Sequence, residues 1–218
     1  MTRYIIRANQ LLFFIVVTLI SGAYTKLKFL LFEIRFGPGL KSNGVPRLEL
    51  SLKSSFVIGK DLSLNNGRYY NTIGRQQKCC FSVGNNAVLK IGNHVGISCT
   101  TIVCKKKIEI EDHVHIGGNC EIYDTDFHDL DFRRRTFLPE DFSNIQPKPI
   151  LIKKYAFIGA HTTILKGVVI GQGAVIGACS VVTKNIPPFE VWAGNPIKFI
   201  AKLTPGIPCY SNSEETSL

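Results

Sequence analysis

One stretch of this 218-residue chain crowds reactive side chains together: Asp124-Thr-Asp-Phe-His-Asp-Leu-Asp-Phe-Arg-Arg-Arg135. Histidine suits the removal of a hydroxyl proton because its ordinary pKa lies near neutrality. A neighbouring carboxylate can hold such a ring in the required orientation. His128 is therefore the candidate general base, and Asp124, Asp126 or Asp131 the candidate orienting group. Arg133, Arg134 and Arg135 are either contacts for an acidic substrate or a solvated stretch. The polar segment continues to residue 150 through Pro139, Pro147 and Pro149. A loop of this length inside a compact domain carries function more often than packing.

The elements that must position it repeat with a period of six. From Ile152 the chain reads in blocks opened by Ile152, Ile158, Ile164, Ile170, Ile176 and Val182. A small or β-branched residue sits four places after the opener: Ala156, Thr162, Val168, Ala174 and Ser180. An amphipathic helix would repeat at three and four, so the period excludes one. Short strands joined by tight corners fit, with one side chain per strand entering a shared core. Three strands make one three-sided coil, and coils stacked on coils make an all-β solenoid. Before the loop the pattern is degraded but legible from Phe56 to Ile122, with residues 65–81 out of register. Residues 47–187 are assigned to the solenoid, less regular toward the start. Residues 189–202 form a closing strand, where Trp192 packs on the last coil, and the polar end of the chain is a tail.

Residues 1–36 differ from the rest. Arg3 and Arg7 precede an apolar run from Leu11 to Ile20, and Lys26 and Lys28 precede a second, Phe29 to Phe32. A cleaved signal peptide, a spanning helix and a helix packed on an assembly all compete here. The favoured reading is a hairpin or interfacial helix pair at an anionic membrane surface. The net charge of +10 admits nucleic acid, acidic lipid or phosphorylated ligands. No basic run interleaved with aromatics supports nucleic acid, which is set aside. The seven cysteines form no C-x-x-C pair. Cys120 and Cys179 are assigned to small-residue positions of the repeat, as free thiols in a reducing compartment.

The repeat, the Asp-Thr-Asp-Phe-His loop, Val182-Thr-Lys184 and Ala193-Gly-Asn-Pro-Ile-Lys198 together resemble the hexapeptide-repeat acyltransferases. Within them the chain looks most like the galactoside/maltose O-acetyltransferase and polysaccharide O-acetyltransferase branches. The resemblance covers roughly residues 47–203. It implies a left-handed parallel β-helix, a homotrimer, and acetyl-CoA held in the groove between neighbouring subunits. It also implies that His128 is the catalytic base, although Asp129 stands where that family often has proline. Ala160 and Ala178 match positions whose backbone meets the pantetheine arm. Thr183, Lys184 and Lys198 match contacts to the phosphates and adenine. The oxyanion donor is unnamed.

Residues 1–46 are thus expected to be an apolar, basic helical segment with possible membrane contact, 47–203 the catalytic β-helix and 204–218 a tail. The expected activity is acetyl-CoA-dependent O-acetylation of a sugar hydroxyl in surface-polysaccharide synthesis, at the cytoplasmic face of the membrane. The alternatives are N-acetylation of an amino sugar and a non-catalytic trimeric scaffold. A zinc enzyme on the same solenoid, of the γ-carbonic anhydrase type, needs a spaced histidine trio; His113 and His115 do not supply it. No metal is expected.

Overall fold

The computed structural model describes residues 2–67, 70–71, 73, 77–136 and 142–204. The tail assignment for 205–218, Cys209 included, lies outside the described residues. The chain opens with one continuous helix, α1 (Thr2–Leu31). Both apolar runs fall on it, so the expected helix pair is a single rod. Its end is closed by Glu33, at φ 55. The Ile34 N–H donates to Phe29 O (2.9 Å) and the Glu33 N–H to Leu30 O (3.0 Å). That paired closure ordinarily places glycine at the left-handed position.

Six three-stranded coils follow among the described residues. The first is β1 (Arg35–Phe36), β2 (Lys41–Asn43) and β3 (Arg47–Leu50); the second is β4 (Ser55–Ile58), β5 (Ser63–Asn65) and β6 (Cys80–Val83). The third is β7 (Val88–Ile91), β8 (Gly96–Ser98) and β9 (Thr101–Cys104); the fourth is β10 (Lys107–Ile110), β11 (His115–Ile116) and β12 (Glu121–Tyr123). After the loop, with its single-turn helix α2 (Phe132–Arg135), come β13 (Ile150–Ile152), β14 (Phe157–Ile158) and β15 (Thr163–Ile164). The sixth coil is β16 (Val169–Ile170), β17 (Val175–Ile176) and β18 (Val181–Val182). Every third strand pairs in parallel, giving three sheets that run along the stack. The solenoid starts at residue 35 rather than at the expected 47: Arg35 pairs with Val57 and Lys41 with Ser63. Those two short strands carry no hexapeptide signature, so only pairing reveals them.

Register explains the period. Ile58, Ile91, Ile110, Ile152 and Ile170 lie one over another in the first sheet. Ile97, Ile116, Ile158 and Ile176 do so in the second. The third stacks Leu48, Phe81, Ile102, Ile122, Ile164 and Val182. The expected small residues Ala156, Thr162, Val168, Ala174 and Ser180 are all buried. Inside, Thr162 Oγ1 and Ser180 Oγ donate to Gly177 O, at 3.2 and 2.6 Å. At the far end β19 (Glu190–Ala193) and β20 (Lys198–Lys202) pair antiparallel. Trp192 sits over Ile176 and closes the core.

The corner at Gly159 leaves no room for a side chain. A Cβ on Gly159 would lie 2.5 Å from Ala178 N in the next coil. Gly159→Ala is expected to lower stability by about 1–3 kcal/mol, as overpacking against fixed backbone does; urea unfolding measures it.

Candidate functional site

The loop leaves β12 at the edge between the third and first sheets. Asp124 forms its hinge and is fully buried. Its Oδ1 accepts from the Lys105 N–H (2.6 Å) and its Oδ2 from the Lys106 and Lys107 N–H groups (2.8 Å each). Lys148 N–H donates to Asp124 O (2.8 Å), which pins the returning arm of the loop. Asp124 thus anchors the loop, with both oxygens engaged by the turn of the coil above. Asp131 is similarly occupied. It caps α2 by accepting from Arg133 N–H (3.0 Å) and pairs with the Arg133 guanidinium.

That leaves Asp126. It lines a recess of about 150 Å³ together with His128, Asp129, Asn144, Gln146 and Lys166. Lys166 Nζ forms an ion pair with Asp126 and also donates to Gln146 O (3.2 Å). Lys166 comes from the corner after β15, one coil further along, so the base of the loop is clamped to the stack. His128 itself is exposed at the mouth. Two larger hollows adjoin. One of about 480 Å³ shares Asp126 and runs past Phe127 and Phe142; the other, about 630 Å³, shares Lys105 and Phe127 and extends over the third sheet to Arg47. Tyr123 packs edge-on against Phe127 at 5.0 Å. Burial, with Glu121 alongside, pushes the Tyr123 phenol up to about 12, so it stays protonated at neutral pH.

Of the lining residues, Lys166 was not singled out by the sequence reading, and Asp129 was noted only as a departure from proline. Lys166 sits in the repeat as one more corner lysine, and only the returning loop gives it a partner. Asp129 is buried, and its Oδ2 makes no hydrogen bond while Arg134 Nε stands 4.0 Å away. The missing proline after His128 was the available signal for it.

The residues matched to the cofactor do not gather at one place in a single chain. Ala160 and Ala178 lie on the edge between the second and third sheets, above and below each other; Cys179 N–H donates to Ala160 O (2.9 Å). Gly118 continues this small column one coil up, where His161 N–H donates to its carbonyl (2.9 Å). Ala178 is exposed and Ala160 half-buried. Thr183 and Lys184 sit instead on the edge that carries His128, two coils further on. Lys184 Nζ lies 5.4 Å from the centre of the Trp192 ring. Lys198 begins β20, exposed.

Among the described residues no group of three or more His, Cys, Asp and Glu has the arrangement to hold a metal ion. His94 and His113 stack on one corner at 4.7 Å, with Tyr155 next at 5.1 Å. Cys120 is buried as the pattern requires, but Cys179 is exposed at a corner with φ 57, one place before the small position it was assigned. Burial pushes the Cys79 and Cys104 thiols up to about 12 and Cys120 to about 11, with the Asp124 carboxylate adding to the effect at Cys104. The thiolate is the reactive form. Iodoacetamide at pH 8 is therefore expected to modify Cys179 in the native protein and to reach these three only after denaturation, as read by peptide mass spectrometry.

Comparison with known proteins gives a consistent set. Residues 149–184 match the bacterial transferase hexapeptide (six repeats) family. The dTDP-4-amino-4,6-dideoxy-D-glucose acyltransferase of Escherichia coli is 28% identical over 166 residues, covering 75% of this chain and 83% of that protein. A Staphylococcus aureus (strain COL) protein designated an acetyltransferase is 43% identical over 89 residues, only 42% of its own length. The crystal structure of a hexapeptide-repeat acetyltransferase from Vibrio cholerae, complexed with acetyl coenzyme A, is 31% identical with a TM-score of 0.51; the match covers 58% of this chain and 65% of that one. AntD, an N-acyltransferase from Bacillus cereus, superposes with a TM-score of 0.66 at 19% identity, covering 83% and 89%, a likeness of fold.

Proposed function

We propose, from the match of residues 149–184 to the bacterial transferase hexapeptide family, that the chain moves an acetyl group from acetyl-CoA to a sugar hydroxyl. The observation that carries the reading is the recess holding His128 and Asp126, built by a loop that leaves the stack between β12 and β13. In this account His128 takes the acceptor proton as its oxygen attacks the thioester carbonyl, and returns it to the departing CoA sulfur. Asp126, fixed by Lys166, orients the ring. Ala160 and Ala178 leave space and backbone groups for the pantetheine arm, while Thr183, Lys184 and Lys198 supply donors and positive charge for its phosphates. A left-handed winding of the coils belongs to the same reading, supported by the match to the hexapeptide family.

A homotrimer is part of it too. His128 and the Ala160–Ala178 column occupy different edges of one prism, so a second copy must bring its small column to the first copy's loop. Half-exposed apolar side chains on the coil faces, Phe157 at 48% and Leu165 at 37%, support such contact.

Transfer to an amino group is the second reading, favoured by the 28% identical Escherichia coli relative, whose name specifies an amino sugar. A neutral amine attacks without prior loss of its proton, so a positioned base matters less to it; His128 is the reason the hydroxyl is preferred. Incubation with acetyl-CoA and matched hydroxyl and amino sugars, lipid-linked and nucleotide-linked, decides the point. An alkali-labile acetyl product is the ester expected. An alkali-stable amide transfers the reading to the amine. Absence of an acetylated product from every sugar removes both.

A further inference from the structure

We infer that α1 lies flat in the surface of an anionic bilayer, with the first coil of the stack facing the headgroups. The helix is docked along one face over a long stretch. Ser21 Oγ donates to Ser42 O (3.0 Å), Lys28 Nζ to Pro46 O (2.9 Å), and Gly44 N–H donates to Ser21 Oγ (3.0 Å). Phe29 is buried against Phe36 and Phe56, with ring centres at 5.9 and 6.4 Å. Toward the start of the helix, Phe14 meets Tyr70 at 5.1 Å. From Phe14 to Phe29 the rod therefore runs across the end of the solenoid for about 22 Å at its 1.5 Å rise. It does not project along the stack.

Among the described residues the other face has no such partner. At about 100° per residue, Arg3, Arg7, Gln10, Thr18, Ser21, Thr25 and Lys28 fall within about 60° of the docked stripe. The opposite side presents Leu12, Val16, Leu19, Ile20, Leu27 and Leu30, all exposed. Asn9 is the polar exception there, and Lys26 stands at the flank. Residues 6–31 have a mean hydropathy of 1.6 yet are almost wholly uncovered. Residues 1–32 hold four basic side chains and no acidic one.

An apolar face this long, on a helix with four basic and no acidic side chains and Lys26 at the flank of that face, matches the boundary between anionic headgroups and acyl chains. A spanning orientation conflicts with the dock. It would carry the 42–46 backbone and Tyr70 into hydrocarbon, where irregular backbone finds no hydrogen-bond partner. The lying posture sets the origin of the His128 loop, three coils on, about 14 Å from the first coil at ~4.8 Å per coil.

The test is co-sedimentation of the full chain with vesicles of phosphatidylglycerol and phosphatidylcholine, and with phosphatidylcholine alone. The protein is expected to pellet with the anionic vesicles, to bind the neutral ones at least tenfold less, and to be released by alkaline carbonate. A Leu12→Glu/Val16→Glu/Leu19→Glu variant is expected to stay in the supernatant with an unchanged urea midpoint. Retention after carbonate extraction would mean a spanning helix and overturn the inference. So would wild-type protein that ignores vesicles, or a triple variant that still binds. A triple variant that instead changes the sedimentation coefficient of vesicle-free protein would assign the face to a second copy. These outcomes are independent of acetyl transfer.

Discussion

Replacing His128 with alanine is expected to lower kcat/KM for acetyl transfer by about 10²–10⁴-fold, the range a positioned general base supplies. Affinity for acetyl-CoA is expected to stay within about twofold. The reason is that His128 acts on the acceptor hydroxyl, whereas the Ala160–Ala178 column proposed to meet the pantetheine arm has backbone bonds independent of the loop. Asp126→Asn should fall between wild type and His128→Ala, since its effect runs through the orientation of the ring. Rates near wild type for His128→Ala, measured by CoA release at saturating acetyl-CoA, would leave the recess without a base.

Asp124→Ala should instead act on stability. The substitution strips three backbone N–H groups of a buried carboxylate, and charge-assisted bonds of this kind contribute more than neutral ones. A loss of about 3–5 kcal/mol in urea unfolding is expected, comparable to removing one partner of a buried ionic contact. Asp124→Asn keeps a single acceptor oxygen and should lose less. Were Asp124 an orienting group, both variants would lose kcat with unfolding midpoints intact, so the pair of measurements separates the two roles.

The repeat made most of the fold legible because its side chains face one core at fixed intervals. Ile152 to Val182 land on the inward positions that their spacing requires. What escaped was held by backbone pairing alone. β1 and β2 have two and three residues, and neither Arg35-Phe36 nor Lys41-Ser-Asn43 resembles a hexapeptide. Cys179 shows how narrow the code is: one position separates an inward small residue from an exposed corner with positive φ.

In the loop, residue types marked the candidate groups but not how the fold employs each of them. Asp124, Asp126, Asp129 and Asp131 are indistinguishable in sequence. One anchors a turn, one caps α2, and two line the recess with His128. Lys166 is another case, since its partnership with Asp126 joins residues forty positions apart. The three arginines also divide: Arg133 serves the α2 cap and Arg135 donates to Asp129 O (2.9 Å). Their first use is to shape the loop, which no run of charges discloses.

The most direct measurement follows radiolabelled acetyl from acetyl-CoA onto a purified sugar acceptor, for wild type and His128→Ala side by side under single-turnover conditions. The account predicts labelled sugar, in an alkali-labile linkage, from wild type and almost none from the variant. Equal labelling by both proteins, or acetyl-CoA that binds yet never yields a labelled sugar, would contradict it.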